Sequence, residues 1–382
     1  MGFALFGVSA AFAPSIGPTI GGWLTVNYSW HYIFYLNLLP GAILVSAIAY
    51  GIDPKPMNLE LLKKGDWAGI TSLATFLGCL TFVLEEGNRK DWFGSPEITW
   101  AALISAVSFV VFLFIELTSK NPVINLRLLF RRNFRTATIL VMALGMGSYG
   151  SVYILPLYLA TVQRYDALQI GRILMWVGLP QLFIVPFIPR LLKRMDARVM
   201  IAMGMCIFAL SCWINAFLNH DIAGPQLMWT NVLRAVGQPL IMTPLSTTAY
   251  EGIEMSEVGS ASGLYNMMRN LGGSIGIGLL GTLLTRRYQF HFSRIAESVS
   301  QIDLSAQSRL AQTAASFVSK GFDSATAHMQ AIQAMGAVFN REANVMAFGD
   351  CFFFMSITLF VGASLTVFMK KSSSASAPAG EH

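Results

Sequence analysis

Long apolar runs separated by short polar breaks organise the chain. With about 20 apolar residues needed to cross a bilayer, the pattern predicts ten spans: 1–26, 31–50, 66–85, 97–118, 134–161, 168–190, 198–218, 226–249, 258–285 and 346–369. Asp66 is placed to cap the third. Pro54-Lys55-Pro56 breaks the chain after the second. The short break at 27–30 makes the first two spans antiparallel neighbours. One segment departs from the alternation. Residues 286–345 are polar and rich in Ala, Ser and Gln, with apolar positions at helical spacing around 310–335. That pattern fits one or two amphipathic helices at or above a membrane surface, or a loosely ordered loop. The Ser/Ala/Pro-rich end, 371–382, reads as a disordered tail.

Composition sharpens this picture. The chain is 54% hydrophobic and 12% charged, against about 25% charge in soluble domains. The expected fold class is therefore an all-α polytopic membrane protein, not a globular enzyme. The net charge of +6 calls for no nucleic acid, because the basic residues cluster in short loops. Lys55, Lys63 and Lys64 fall in one loop. Lys120, Arg127, Arg131, Arg132 and Arg135 fall in another, Arg190, Lys193, Arg194 and Arg198 in a third, and Lys370 and Lys371 at the end. All lie on one side, which the positive-inside rule makes cytoplasmic, with both termini there. The opposite loops carry Arg89, Lys90 and Arg164. Loop 250–257 is the exception, with Glu251, Glu254 and Glu257 on the side the count calls inside; acidic residues weigh little in this rule. Met1–Ala10 lacks the basic start of a signal peptide.

Polar groups inside the spans are the functional candidates, since charge in hydrocarbon is costly. Arg234 and Arg269 are expected near mid-depth of the eighth and ninth spans, facing a cavity, a carboxylate or helix-end carbonyls, or else an interface. Glu116, Arg172 and Asp350 fall near span ends. Gln181, Gln238 and Asn266 could line a polar path or simply tie helices together, and Tyr149 and Tyr153 are further cavity candidates. No metal or cofactor is expected. Cys79, Cys206, Cys212 and Cys351 fall in apolar runs without ligand spacing and read as small buried hydrophobes. The histidines are scattered, and no Gly-x-Ser-x-Gly elbow occurs. Small residues mark the first span: Ala13, Gly17 and Gly21 share a helix face, which permits close helix approach in lipid. Pro14 and Pro18 predict a bend there. Gly272, Gly273, Gly276 and Gly278 give the ninth span a second smooth face.

These residues also carry a resemblance. Gly17-Pro18-x-x-Gly21-Gly22 resembles the fifth-helix antiporter motif of drug-exporting major facilitator transporters, G-x-x-x-G-P-x-x-G-G, with Ala13 at the first glycine. Trp30-His31-Tyr32-Ile33-Phe34-Tyr35-Leu36-Asn37 resembles the W-R-W-I-F-x-x-N opening of the sixth helix, with His31 where Arg is usual. Leu84-Glu85-Glu86-Gly87 with Asp91-Trp92-Phe93 is similar to the loop between the two extra helices of the 14-span drug:proton antiporters of EmrB/QacA type. Asn121-Pro122-Val123 through Asn133-Phe134, Leu155-Pro156-Leu157-Tyr158, Pro189-x4-Arg194-x-Asp196-x-Arg198, Arg234-x-x-Gly237 and Arg269-Asn270-Leu271-Gly272-Gly273 extend the likeness. The resemblance implies a major facilitator bundle. Residues 1–50 would be the last two helices of its N-terminal half, 66–119 two extra linker helices, and 134–370 the C-terminal six-helix half with its outer loop at 286–345. It further implies a multidrug efflux carrier of a bacterial inner membrane. Such a carrier exchanges protons for amphipathic drugs by alternating access and works with a periplasmic adaptor and an outer-membrane channel. Its motif residues Ala13, Pro14, Gly17, Pro18, Gly21 and Gly22 would form a moving helix contact. The family's first four spans have no counterpart here, so an inactive fragment, or a carrier for another small solute, stands as the alternative.

Overall fold

The computed structural model describes residues 16–51, 66–119, 124–222, 224–298 and 304–370. Among them every regular element is helical. The helices are α1 (16–27), α2 (His31–Leu36), α3 (Leu38–Gly51), α4 (Trp67–Glu86), α5 (Pro96–Thr118), α6 (Arg132–Thr161), α7 (Ala167–Ile184), α8 (Ile188–Leu192), α9 (Ala197–Asn215), α10 (Gly224–Tyr250), α11 (Val258–Ser298), α12 (Leu304–Ser319) and α13 (Ser324–Leu365). Aspartates set several of the starts. Asp66 accepts the Gly69 amide at 2.8 Å. Asp166 and Gln169 form a reciprocal capping box, and Asp196 accepts the Arg198 amide at 3.0 Å. Each satisfies an amide that the first helical turn leaves open.

Prolines account for two interruptions of the predicted spans. Pro40 withholds the amide that would bond the Leu36 carbonyl, and the second span breaks at Asn37 between α2 and α3. Pro186 and Pro189 do the same after α7, where a 3₁₀ turn at Val185–Phe187 precedes α8.

The core lies in the second half of the chain. α6 packs on α10, α11 and α13, α9 packs on α10 and α13, and α7 lies along α10. Leu140, Leu144, Tyr158, Phe208, Ile241, Phe348 and Leu359 are buried at its centre. α4 and α5 form a pair, and α4 docks it on α11. α2 and α3 bury no residue. An apolar helix without a protein partner is stable where its solvent is hydrocarbon, because its backbone groups are all paired internally.

Seven described segments are long and apolar enough to cross a membrane. α10 and α11 fall outside that group, although the sequence pattern makes spans of both. They carry Asn231, Arg234, Gln238, Arg269 and Asn270 and are shielded by their neighbours rather than by their own hydrophobicity. The start of the first predicted span, with Ala13 and Pro14, lies outside the described residues. So do Lys55, Lys63, Lys64, Lys120 and the 371–382 tail.

The acidic loop 250–257 is accounted for by its contacts. Arg131 donates to the Gly252 carbonyl at 2.5 Å and pairs with Glu257 at 3.7 Å, and Asn125 donates to Glu257 at 2.8 Å. The glutamates therefore sit on the basic end of the bundle. The last described turn is tied to the same end: Arg132 donates to Phe368 O at 2.9 Å and Arg198 to Met369 O at 3.3 Å.

At the other end the segment 286–345, expected as one or two amphipathic helices at or above the membrane surface or as a loose loop, is mainly helical where it is described, and two of its helices are continuations of α11 and α13. α11 continues unbroken to Ser298, α13 already starts at Ser324, and α12 packs on α13. Gly321 makes the turn between α12 and α13 at φ 95°, a conformation open to glycine. Together these helices form a stalk. Its base is pinned by Asp350, which accepts from Arg287 Nε at 2.5 Å and bonds His291 Nε2 at 2.7 Å; Tyr288 also donates to Asn340. Asp323 caps α13, and hydrogen bonds from the Thr326 side chain and amide hold its carboxyl below the ordinary carboxylate value. A depressed folded value stabilises above the unfolded value of about 3.9 and is lost as pH falls through the folded one. Acidification through the carboxylate range is therefore expected to lower the protection factors of the amides at 324–327, taken relative to their intrinsic exchange rates at each pH, in the native protein. Asp323→Asn is expected to remove that dependence, and equal acid response in both proteins would refute the assignment.

Candidate transport site

The first feature is a crossing of α1 and α7. A Cβ on Gly22 would lie 2.3 Å from the Ala167 carbonyl oxygen, and one on Gly171 would lie 2.3 Å from the Pro18 carbonyl oxygen. Thr19 Oγ1 donates to the Gly171 carbonyl at 3.2 Å. The two backbones thus touch through reciprocal glycines. This corrects the predicted stripe. A Cβ at Gly17 meets no described atom within 4 Å, and one at Gly21 meets only Ile33 Cδ1 at 3.9 Å. The face that reaches α7 is the one bearing Pro18, Thr19 and Gly22, turned from the Ala13–Gly17–Gly21 line. Its partner Gly171 carries no motif and was not singled out by the sequence.

The second feature is the seam between α6 and α11. Cβ atoms on Gly272 and Gly276 would lie 2.2 Å from Met142 O and 2.9 Å from Met146 Cα. One on Gly145 would lie 2.2 Å from Arg269 O, and one on Gly273 would enter the Tyr149 ring at 2.5 Å. Gly278 faces Leu84 O on α4, where a Cβ would stand at 2.5 Å. Glycines on both sides let the helices meet at backbone distance, where packing rather than hydrophobicity holds them.

The third feature is a polar chain midway along α10. Gln181 Nε2 on α7 donates to Gln238 Oε1 on α10 at 2.9 Å, and Gln238 Nε2 donates to Ser148 Oγ on α6 at 3.1 Å. Arg234 Nη2 donates to the Ser148 carbonyl at 3.3 Å. Arg234 is 3% exposed, its guanidinium stands 5.6 Å from the Phe208 ring centroid, and its Nε has no partner. Ser148 is the residue sequence reasoning missed. Its position in the small-residue run Gly145-Met146-Gly147-Ser148 was the available signal.

The remaining candidates do not join this chain. Tyr149 donates to Asn270 at 3.1 Å on the other side of α6. Tyr153 lies near Gly281, its hydroxyl 3.6 Å from where a Cβ would stand. Asn266 is exposed and donates to Ser262 O on its own helix at 2.9 Å. Arg269 is half-buried one turn from Tyr265, whose buried hydroxyl has no partner. Glu116 is buried at the C-terminal end of α5, where the Ile124 amide donates to it at 3.3 Å. Cys206 is exposed, which corrects its reading as buried, whereas Cys212 and Cys351 are buried.

A helical bundle with close glycine crossings and buried polar groups is compatible with a membrane carrier. The Major Facilitator Superfamily model matches residues 1–277, and the chain belongs to that superfamily. It is 31% identical over 367 residues to the colistin resistance protein EmrB of Acinetobacter baumannii, an alignment covering 96% of this chain and 71% of that protein. It is 28% identical over 314 residues to the multidrug export protein EmrB of Haemophilus influenzae, covering 81% of this chain and 60% of that one. It is also 28% identical over 301 residues to the fatty acid resistance protein FarB of Neisseria gonorrhoeae, covering 78% and 59%. Within the superfamily the chain belongs with the EmrB-type proteins, and it spans 71%, 60% and 59% of the length of these three relatives.

Proposed function

We propose that this chain exports amphipathic small molecules in exchange for protons, by rocking helices against each other around the α1–α7 crossing. The observation that carries the reading is the reciprocal contact of Gly22 and Gly171. A contact without interlocking side chains can part and re-form without repacking a core. Residues 1–50 then act as the end of an N-terminal half, 66–119 as a linker pair, and 134–370 as the C-terminal half. The shared core of α6, α9, α10, α11 and α13 supports that division. Arg234, Gln238 and Gln181 line the C-terminal wall of the path, and Arg269, Tyr149, Tyr153 and Asn266, on α11 and the other side of α6, stay outside it.

The protein sits in the bacterial inner membrane with both termini cytoplasmic. The basic residues Arg127, Arg131, Arg194 and Arg198 at one end support this orientation, which puts the α11–α13 stalk outside. A stalk standing clear of the bilayer suits a periplasmic adaptor leading to an outer-membrane channel. The chain performs no covalent chemistry on what it carries. Ethidium efflux from cells lacking their own pumps tests the reading. Expression should speed efflux, and a protonophore should abolish the gain. An unchanged rate, or a gain indifferent to protonophore, would refute proton-driven export.

A further inference from the structure

α10 carries a column of polar groups at helical spacing: Thr230, Asn231, Arg234 and Gln238. Asn231 donates to Ile173 O at 3.1 Å, and the Thr230 carbonyl accepts from Ser211 at 2.8 Å. Below them come Arg234 and the Gln238–Ser148–Gln181 chain. Arg234 lies about 15 Å along α10 from its start at Gly224, and Gln238 about 21 Å, at 1.5 Å per residue. The column therefore crosses the middle of a hydrocarbon core about 30 Å thick. Gln181 and Gln238 are half-buried, whereas Arg234 is 3% exposed.

Stability does not explain this arginine. Its Nε is buried without a partner, and no carboxylate pairs with it among the described residues. Its neighbours are a carbonyl, an aromatic face and a thiol, those of Ser148, Phe208 and Cys212. An apolar side chain of similar volume usually serves such a position at least as well. What the guanidinium alone supplies is a fixed positive charge, retained at any ordinary pH. Water entering along these polar groups would conduct protons. A cation set in a narrow polar path excludes protons and other cations electrostatically.

We propose that Arg234 is an electrostatic barrier that stops protons leaking through the C-terminal helices along the α10 column. Its value to a carrier rests on the proton-exchange reading above, but its test does not. The purified protein is reconstituted into liposomes with a pH-sensitive dye inside. A pH gradient is imposed with valinomycin present to collapse the opposing potential, and no drug is added. Wild type and Arg234→Lys, which keeps the charge, should hold the gradient. Arg234→Met, which keeps the volume, should dissipate it at least fivefold faster, and Arg234→Gln, which can still bond Ser148, should leak likewise. Adding Gln238→Leu to either neutral variant should close the leak. If whichever of the two neutral variants folds stays as tight as wild type, the barrier does not exist. The same holds if Arg234→Lys leaks as they do, since the effect is then one of shape. A leak in the neutral variants of a protein that exports no drug would uphold the barrier and remove the transport reading. Tight neutral variants with export intact would do the reverse.

Discussion

Gly171→Leu is expected to yield a protein that folds and reaches the membrane yet exports at about a tenth of the wild-type rate or less. The Cβ alone would stand 2.3 Å from the Pro18 carbonyl oxygen and 3.0 Å from Thr19 Cα. Both are backbone atoms, so no rotamer change relieves the clash. α1 and α7 must separate, and the Thr19–Gly171 hydrogen bond is lost with them. The main core survives, because it is built by α6, α9, α10, α11 and α13. The damage therefore falls on the closing step of transport. Ethidium efflux should drop by a factor of about 10 or more at unchanged expression, a loss of about 1.4 kcal/mol or more in the step that limits export. Gly22→Leu should match it. Gly17→Leu, whose Cβ meets no described atom within 4 Å, should be milder. Full activity of Gly171→Leu would remove the crossing from the mechanism.

Gly272→Leu is expected to damage the fold itself. The new side chain would start 2.2 Å from Met142 O and 2.8 Å from Met142 Cα. The opposing helix, α6, is the one around which the core is packed, so moving it disturbs Leu140, Leu144 and Leu359 together. Overpacking a core commonly costs about 1–3 kcal/mol, and a clash against backbone belongs at or above the top of that range. Against a total stability of about 5–15 kcal/mol, the thermal midpoint in detergent should fall by several degrees or the protein should fail to accumulate. Gly263→Ala serves as the control. It lies on the same helix with nothing within 4 Å of its Cβ, and exchanging Gly for Ala in an open helix gains up to about 1 kcal/mol. A midpoint for Gly272→Leu equal to that of Gly263→Ala would show that the seam is slack.

The parts of this molecule legible from the chain are those set by simple periodicity and charge. Apolar runs locate the spans to within a turn at most ends because polar breaks mark them, with a capping aspartate at Asp66. The basic loops mark one end of the bundle. What the pattern misplaces follows from chemistry that does not distinguish the alternatives. The Ala/Ser/Gln-rich stretch after Thr285 is as compatible with a surface segment as with a continuing helix, and only packing of α12 on α13 decides. α10 and α11 look weak as spans because burial by neighbours substitutes for hydropathy. At the candidate site Arg234, Gln238 and Gln181 were legible as polar residues in apolar surroundings, whereas their junction at Ser148 was not. A serine in a glycine-rich helix looks like one more small residue. Gly171 escaped for the same reason: a single glycine announces nothing until its partner on another helix is known.

The length of two helices has a mechanical consequence. α11 runs 41 residues and α13 runs 42, about 60 Å each at 1.5 Å per residue, and neither carries a proline. Their stalk portions are rigid levers whose fulcrum is the clamp of Asp350 with Arg287 and His291. A tilt of about 10° within the bundle would swing a point about 30 Å along such a lever through about 5 Å. Displacements too small to follow inside the lipid are thereby magnified at the Gly321 turn, where a single fluorophore would record each stroke of the carrier from outside the membrane.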